Sequence, residues 1–309
     1  MKKLVSLALT LVLLLSLAAC GKDPKPAATD ASTAPAGTAA AETTALTEAP
    51  TEAPTEAAPA FQEVVAVDNG ECSVKFTAID PDNLWGYTLK AQMENKSADK
   101  TYMFSVDYAS INGVDCDPFF ATEIAAGKKA NEELSFSTSI LEENGITEFT
   151  DIEIGIRVHD SNDFMADPVA EEVVHIYPYG EEKAVKFVRE PQATDHVLID
   201  NEYVTVIVTD WVHDEIWGQT AKLFLQNKTD CTVMFGVEDA SVNGFMADPF
   251  FATEVSAGGC AFEALSWSDD TLEENGITEV ETIEFVLRAY DSNDWFADPF
   301  ANETVTYEP

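Results

Sequence analysis

The chain has 309 residues, with 17 Lys+Arg against 56 Asp+Glu, a formal net charge of −39. A surface of that sign excludes nucleic-acid binding, which needs cations to displace counterions from phosphates, and it excludes basic docking onto anionic lipid. Hydrophobic residues at 46% and aromatics at 10% exclude disorder throughout and leave apolar material for about two domain cores.

The chain opens with Lys2 and Lys3, then an apolar run from Leu4 to Ala19 whose only polar members are Ser6, Thr10 and Ser16. A charged segment followed by an apolar one is the plan of a secretory signal, and 16 residues is short for a bilayer span. The run ends Leu17-Ala18-Ala19-Cys20-Gly21, which resembles the bacterial lipoprotein lipobox. That resemblance implies removal of residues 1–19, lipidation of Cys20 (palmitate among the acyl groups) and an anchor on the extracytoplasmic face of the bacterial cell membrane. Two or more acyl chains hold a protein there stably where one does not. Loss of Lys2 and Lys3 with no acid takes the mature chain to −41.

Residues 20–61 read as a disordered stalk. Between 21 and 60 there are 14 Ala, 8 Thr and 6 Pro, with Thr-Glu-Ala-Pro at 47–50 and again at 51–54. Such a segment cannot offset its ordering entropy with buried area. As a coil it would span about 35 Å, and at most about 120 Å if fully extended in polyproline form.

After the stalk the chain repeats itself with a period of about 131 residues. Asp68-Asn69 matches Asp200-Asn201, Leu84-Trp85-Gly86 matches Ile216-Trp217-Gly218, and Asn95-Lys96 matches Asn227-Lys228. Asp117 to Glu123 recurs at 248–254, Leu141 to Glu148 at 272–279, and Asp160 to Asp163 at 291–294. The period is too long for a solenoid and marks a duplicated domain, 62–178 and 195–309. The connector 179–194 balances three acids with three cations. The copies carry 23 acids against 7 cations and 24 against 3, or −16 and −21. Like charges on a short neutral tether are expected to hold the copies apart.

Each copy is a series of short alternating runs bounded by turn residues. In the first they fall at 73–79, 88–94, 102–111, 151–158 and 172–177; in the second at 204–209, 220–226, 233–242, 282–290 and 303–307. Asn243-Gly244, at the end of the 233–242 run, is the strongest short-range hairpin signal. Leu141-Glu142-Glu143-Asn144-Gly145 reads as one helical turn capped by glycine. The pattern predicts an all-β chain of two tandem immunoglobulin-like antiparallel β-sandwich domains. The Asn-Lys turn, the Val-Asn-Gly hairpin, the LEENGI turn and the Asp-Ser-Asn-Asp loop resemble modules of lipoproteins from anaerobic Gram-positive bacteria. Those modules are similar to a family of unknown function with an immunoglobulin-like fold, related to secreted immunoprotective antigens. The resemblance implies a fold and an address, and transfers no catalytic residue.

Candidate chemistry lies in loops. Asp160, Asn162, Asp163 and Asp167, matched by Asp291, Asn293, Asp294 and Asp298, put oxygens at alternate positions, as a calcium site would; the bland alternative is a polar hairpin turn. Neighbouring strand residues face opposite ways, so one ring of Phe119-Phe120 and one of Phe250-Phe251 can be exposed, with Trp295 and Phe296 completing an aromatic platform. Trp85 and Trp217 are expected in the core, since two copies of one packing plan keep the same large aromatic. His159, His175, His196 and His213 neither cluster nor repeat, which argues against a zinc site. Cys72, Cys116, Cys231 and Cys260 do not match between copies, so free thiols are expected rather than an ancestral bridge. No nucleophile elbow, Walker loop or dinucleotide fingerprint is present. The sequence therefore reads as a non-enzymatic binding or adhesion module for an unknown protein or glycan. A calcium-rigidified spacer and an envelope enzyme or inhibitor are the alternatives.

Overall fold

The computed structural model describes residues 61–309 apart from Asp117 and Trp295. The signal segment, Cys20 and residues 21–60 lie outside the described residues, as do those two positions, while Phe61, placed at the end of the stalk by sequence, packs against the first core. Residues 62–309 fall within one compact unit, and it is all-β.

The first repeat comprises β1 (Val64–Asp68), β2 (Cys72–Asp80), β3 (Tyr87–Asn95), β4 (Tyr102–Ile111), β5 (Val114–Asp115), β6 (Ala121–Ile124), β7 (Lys129–Phe136), α1 (Ser139–Glu143), β8 (Ile152–Asp160) and β9 (Ala170–Ile176). The second repeats that order as β10 (His196–Asp200), β11 (Val204–Asp214), β12 (Gly218–Asn227), β13 (Val233–Val242), β14 (Phe245–Met246), β15 (Ala252–Val255), β16 (Cys260–Trp267), α2 (Asp269–Glu274), β17 (Ile283–Asp291) and β18 (Ala301–Tyr307). In each, a four-stranded sheet (β1-β2-β3-β7, or β10-β11-β12-β16) packs on a second sheet (β5-β4-β8-β9, or β14-β13-β17-β18). The remaining strand, β6 or β15, adds to β4 or β13.

Period-two patterning makes these layers. In β3 Leu89, Ala91 and Met93 are buried while Lys90 and Gln92 between them are not, and the inward rings Phe76, Phe104, Phe235 and Phe285 are almost fully enclosed. Each such side chain contributes about 2 kcal/mol of apolar burial.

The blocks that recur between copies are backbone clasps. Asn95 is fully buried; its amide donates to the carbonyls of Lys100 and Ile124 and its oxygen accepts from Ser97 N. Asn227 does the same with Cys231, Val255 and Thr229. The next residue, Lys96 or Lys228, reaches Asp68 or Asp200 at 2.6 and 2.7 Å, which holds those carboxyls below the usual range. The Asn243-Gly244 turn forms as expected, with φ of 51° and 82°, and Asn112-Gly113 matches it at 55° and 78°. Asn112 Oδ1 also accepts from Thr150 N and Asp151 N, and Asn243 Oδ1 from Glu281 N and Thr282 N. One asparagine thus ties each hairpin to the segment entering β8 or β17. The LEENGI turns are α1 and α2, with Leu141 and Leu272 buried and Gly145 N and Gly276 N donating to Glu142 O and Glu273 O.

The copies do not stand apart, which corrects the expectation from their charge. Cys260 of β16 pairs in parallel with Val114 of β5, so a sheet of each repeat joins into one. Cys260 N donates to Gly113 O at 3.1 Å, Lys186 Nζ to Gly258 O at 2.5 Å and Phe187 N to Asn112 O at 2.8 Å. Phe224 and Cys260 are buried in the first repeat's core, with Ile207, Phe262 and Phe187 packed against it. Arg189 lies over Phe224 and grips Asp195 with both terminal nitrogens, so the connector is stitched down. The physical reason is range. Repulsion between net charges is screened beyond about 8 Å, whereas these five apolar side chains in contact contribute on the order of 5 kcal/mol.

Asp115 sits in this joint. Its carboxylate accepts from Ser256 N and Ser256 Oγ, both at 2.7 Å. Desolvation, with Glu153 and Glu263 nearby, pushes it up to about 6, from an ordinary value of 3.8. A raised value means the joint is favoured with Asp115 protonated. That contribution, on the order of 2–3 kcal/mol, is complete below the ordinary value and lost as pH rises through about 6. Asp115→Asn keeps an acceptor for Ser256 and carries no charge. Relative to the parent chain it is expected to raise the melting temperature at pH 7.5 and to lose most of that advantage at pH 4.5. The same difference at both pH values would count against this account.

Candidate binding surface

Each repeat throws large apolar side chains outward from the loop between its second and third strands. Asp214 Oδ1 accepts from Ile216 N at 2.7 Å and Trp217 N at 2.9 Å, and those amides hold the Asp214 carboxyl below its usual range. Gly218 follows with φ of 80°, and a Cβ there would stand 2.3 Å from Trp267 O. The loop therefore packs its glycine against the next strand and turns Ile216 and Trp217 to solvent. The first repeat is built alike: Asn83 Oδ1 accepts from Trp85 N, and a Cβ on Gly86 would meet Phe136 O. Leu84 and Trp85 are 89% and 74% exposed, Ile216 and Trp217 81% and 54%.

This overturns the expectation that the matched tryptophans lie in the cores. What recurs is the glycine's close approach, with the tryptophan beside it left outside. The core tryptophan is Trp267, 1% exposed and donating from Nε1 to Ala247 O at 2.9 Å; its counterpart is Phe136.

The Phe-Phe pairs split, though not by strand alternation, since both lie ahead of β6 and β15 and Phe119 has φ of 45°. Phe119 and Phe250 are exposed, while Phe120 and Phe251 pack against the two cores. Phe250 stacks on Trp217 with ring centroids 5.8 Å apart and planes 16° from parallel, and its amide donates to Ser266 O. Phe250 and Trp217 thus form an exposed aromatic pair. The Trp295–Phe296 loop leaves β17 beside Thr232, at the start of β13, where Ser292 N donates to Thr232 O. Trp295 itself lies outside the described residues, and Phe296 is fully exposed. In the first repeat, Ser161 likewise donates to Thr101 O, while Phe120 O accepts from Val106 N. Five residues of β4 separate those levels, on the order of 15 Å, so the acidic loops and the Phe pairs do not meet within a copy.

In the acidic loops the carboxylates cap their own turns. Asp160 Oδ1 accepts from Asn162 N, which lowers its pKa, and its other oxygen pairs with Lys100 at 3.2 Å. Asp163 accepts from Met165 N, Asp291 from Asn293 N and Asp294 from Phe296 N. Asn162, Asp167, Asn293 and Asp298 are exposed. Among the described residues no three or more His, Cys, Asp or Glu side chains converge as a metal-holding group. Cys72, Cys231 and Cys260 are free thiols; burial pushes Cys72 up to about 11 and Cys260 up to about 12.

Between the repeats lies an open cleft of about 1110 Å³, walled by Asp107, Arg157 and Glu172 on one side and Met234, Glu254 and Glu263 on the other. Burial raises the Glu263 carboxyl there, opposed by a hydrogen bond from Thr253.

Neither a protein-family model nor a curated protein matches the chain. Among solved structures it is similar to the YadV chaperone, at 12% identity over 71% of this chain and 92% of that one, TM-score 0.23. It is also similar to a protein of unknown function from Porphyromonas gingivalis W83, at 12% identity over 78% and 100%, TM-score 0.21. A third is red sea bream transglutaminase, at 11% identity over 81% of this chain and 31% of that one, TM-score 0.21. Likenesses at these TM-scores carry no argument about what the chain does.

Trp217→Ala is expected to change stability by less than about 1 kcal/mol, since it empties no cavity. Trp267→Ala is expected to cost about 4 kcal/mol. Urea denaturation of the two variants checks the pair, and comparable losses would return Trp217 to the core.

Proposed function

We propose that the protein is a lipid-anchored protein of the extracytoplasmic membrane face that works by binding, without catalysis, through the exposed aromatic loops of its two repeats. The observation that carries this reading is the stacked Trp217–Phe250 pair, held outward by the Asp214 clasp and the Phe250–Ser266 bond. Its counterpart in the first repeat is Leu84, Trp85 and Phe119. Contiguous exposed apolar side chains rimmed by polar ones mark interaction surfaces on soluble domains. Aromatic rings supply large contact area at small entropic cost. The anchor rests on the Leu17-Ala18-Ala19-Cys20 motif, and the acidic surface favours neutral or cationic partners.

Two measurements test this reading. Cys20→Ser is expected to abolish incorporation of labelled palmitate and to move the protein from the membrane fraction to the medium; retention on the membrane would sink the anchor. Trp217→Ala with Phe250→Ala is expected to weaken saturable binding to envelope extract at least tenfold while leaving the melting temperature within a few degrees. Hydrolytic activity of the purified protein, lost on substitution of one carboxylate, would replace binding by catalysis.

A further inference from the structure

The two repeats share a hairpin but not its surroundings. In the first, the Asn112–Gly113 turn presents β5 to a neighbour: Gly113 O accepts from Cys260 N, Val114 pairs in parallel with Cys260, and Asp115 takes both the amide and hydroxyl of Ser256. Val114 is 1% exposed as a result. In the second, the Asn243–Gly244 turn presents β14 in the same way, with Phe245 and Met246 in the places of Val114 and Asp115. Among the described residues no strand lies on its outer side, and these two side chains are 52% and 64% exposed.

We propose that β14 is an open docking edge for a strand of a partner protein, one with apolar residues at alternate positions and Lys or Arg beside them. This rests on the reading of the protein as a binding module and specifies the kind of partner. The chemistry comes from what fills the equivalent place in the same molecule. There the occupant is the edge of β16 with Cys260 and Phe262 facing the first repeat, and Lys186 and Arg189 accompany it. Charge points the same way. Asp248, Glu279, Glu281 and Glu284 stand exposed along the β14 hairpin, and the second repeat's three cations already pair with Glu143, Asp200 and Glu238. A second copy of this chain fits poorly. Its corresponding edge, β7, carries Lys129, Asn131 and Glu133 where β16 has Cys260, Phe262 and Ala264, and charged side chains on an edge strand oppose pairing.

The probe is a synthetic peptide with the sequence of residues 256–267 and two lysines added at each end, titrated under reducing conditions into the full chain and followed by fluorescence anisotropy. Saturable binding is expected, at least tenfold weaker with Phe245→Asp or Phe245→Ser and at least tenfold weaker for a scrambled peptide of equal charge. Met246→Asn is expected to tighten binding severalfold, because it places an uncharged acceptor where Asp115 meets Ser256. Equal affinity for the parent chain and Phe245→Asp, equal affinity for the scrambled peptide, or no saturable binding would overturn the proposal. So would a dimer in sedimentation that Phe245→Asp dissolves, since a second copy would then cover the edge. If the Trp217→Ala, Phe250→Ala pair loses envelope binding while the Phe245 variants do not alter peptide affinity, the binding reading stands and the edge falls.

Discussion

An antiparallel sheet must end somewhere, and its last strand carries amides and carbonyls that water or a neighbour has to satisfy. The arrangement of this molecule follows from how that requirement is met at β16. Its edge amide at Cys260 is taken by Gly113 of the other repeat, and once that bond forms the outward residues of the sheet become an interface. Ile207, Phe224, Cys260 and Phe262 line that face. At the corresponding places the first repeat has Lys75, Gln92, Lys129 and Asn131. The two repeats therefore share an inner frame and differ on one outer face, apolar where it is covered and polar where it meets water.

That contrast also separates what is legible in the amino-acid sequence from what is not. Blocks identical in both copies are the clasps of the frame: Asn95 and Asn227 buried among backbone carbonyls, Asn112 and Asn243 tying hairpins to the next strand. The longer strands, β2, β3, β4 and β8 with their counterparts, are legible by alternation close to their observed bounds, except that β11 runs on to Asp214 past the 204–209 run. β7 and β16 are not. Lys-Ala-Asn-Glu-Glu-Leu-Ser-Phe has buried residues only at Leu134 and Phe136, and Cys-Ala-Phe-Glu-Ala-Leu-Ser-Trp is covered on both faces, so neither shows a clean period of two. The joint escapes a comparison built on what the copies share. Its signal is in what they do not share, namely four polar residues replaced by apolar ones on a single sheet face.

The tryptophans depart from expectation for a related reason. Identity between copies suggests a packing constraint on the largest residue, but in Trp-Gly the constrained member is the glycine, whose missing Cβ lets the turn press on Phe136 O or Trp267 O. A bulky residue next to such a contact has no room inward. The exposed platform escapes local pattern: the Phe pairs lie in the loops ahead of β6 and β15, where a period of two does not apply, and the partner ring, Trp217, comes from a loop 33 residues away in sequence.

Charge, the most extreme feature of the composition, acts locally in opposite senses. Where a carboxylate caps a turn or meets a lysine its pKa falls, as at Asp160, Asp214, Asp68 and Asp200. Where the repeats close on each other it rises, as at Asp115 and Glu263. The acidic surface is therefore no obstacle to docking, provided that the contact excludes water around apolar side chains and brings its own cations, as Lys186 and Arg189 do. The same conditions apply to any partner that would cover Phe245 and Met246. The intramolecular joint is thus the best guide to what the open end of the molecule can accept: it shows, in one chain, which combination of sheet edge, apolar face and positive charge this hairpin holds against a strongly negative background.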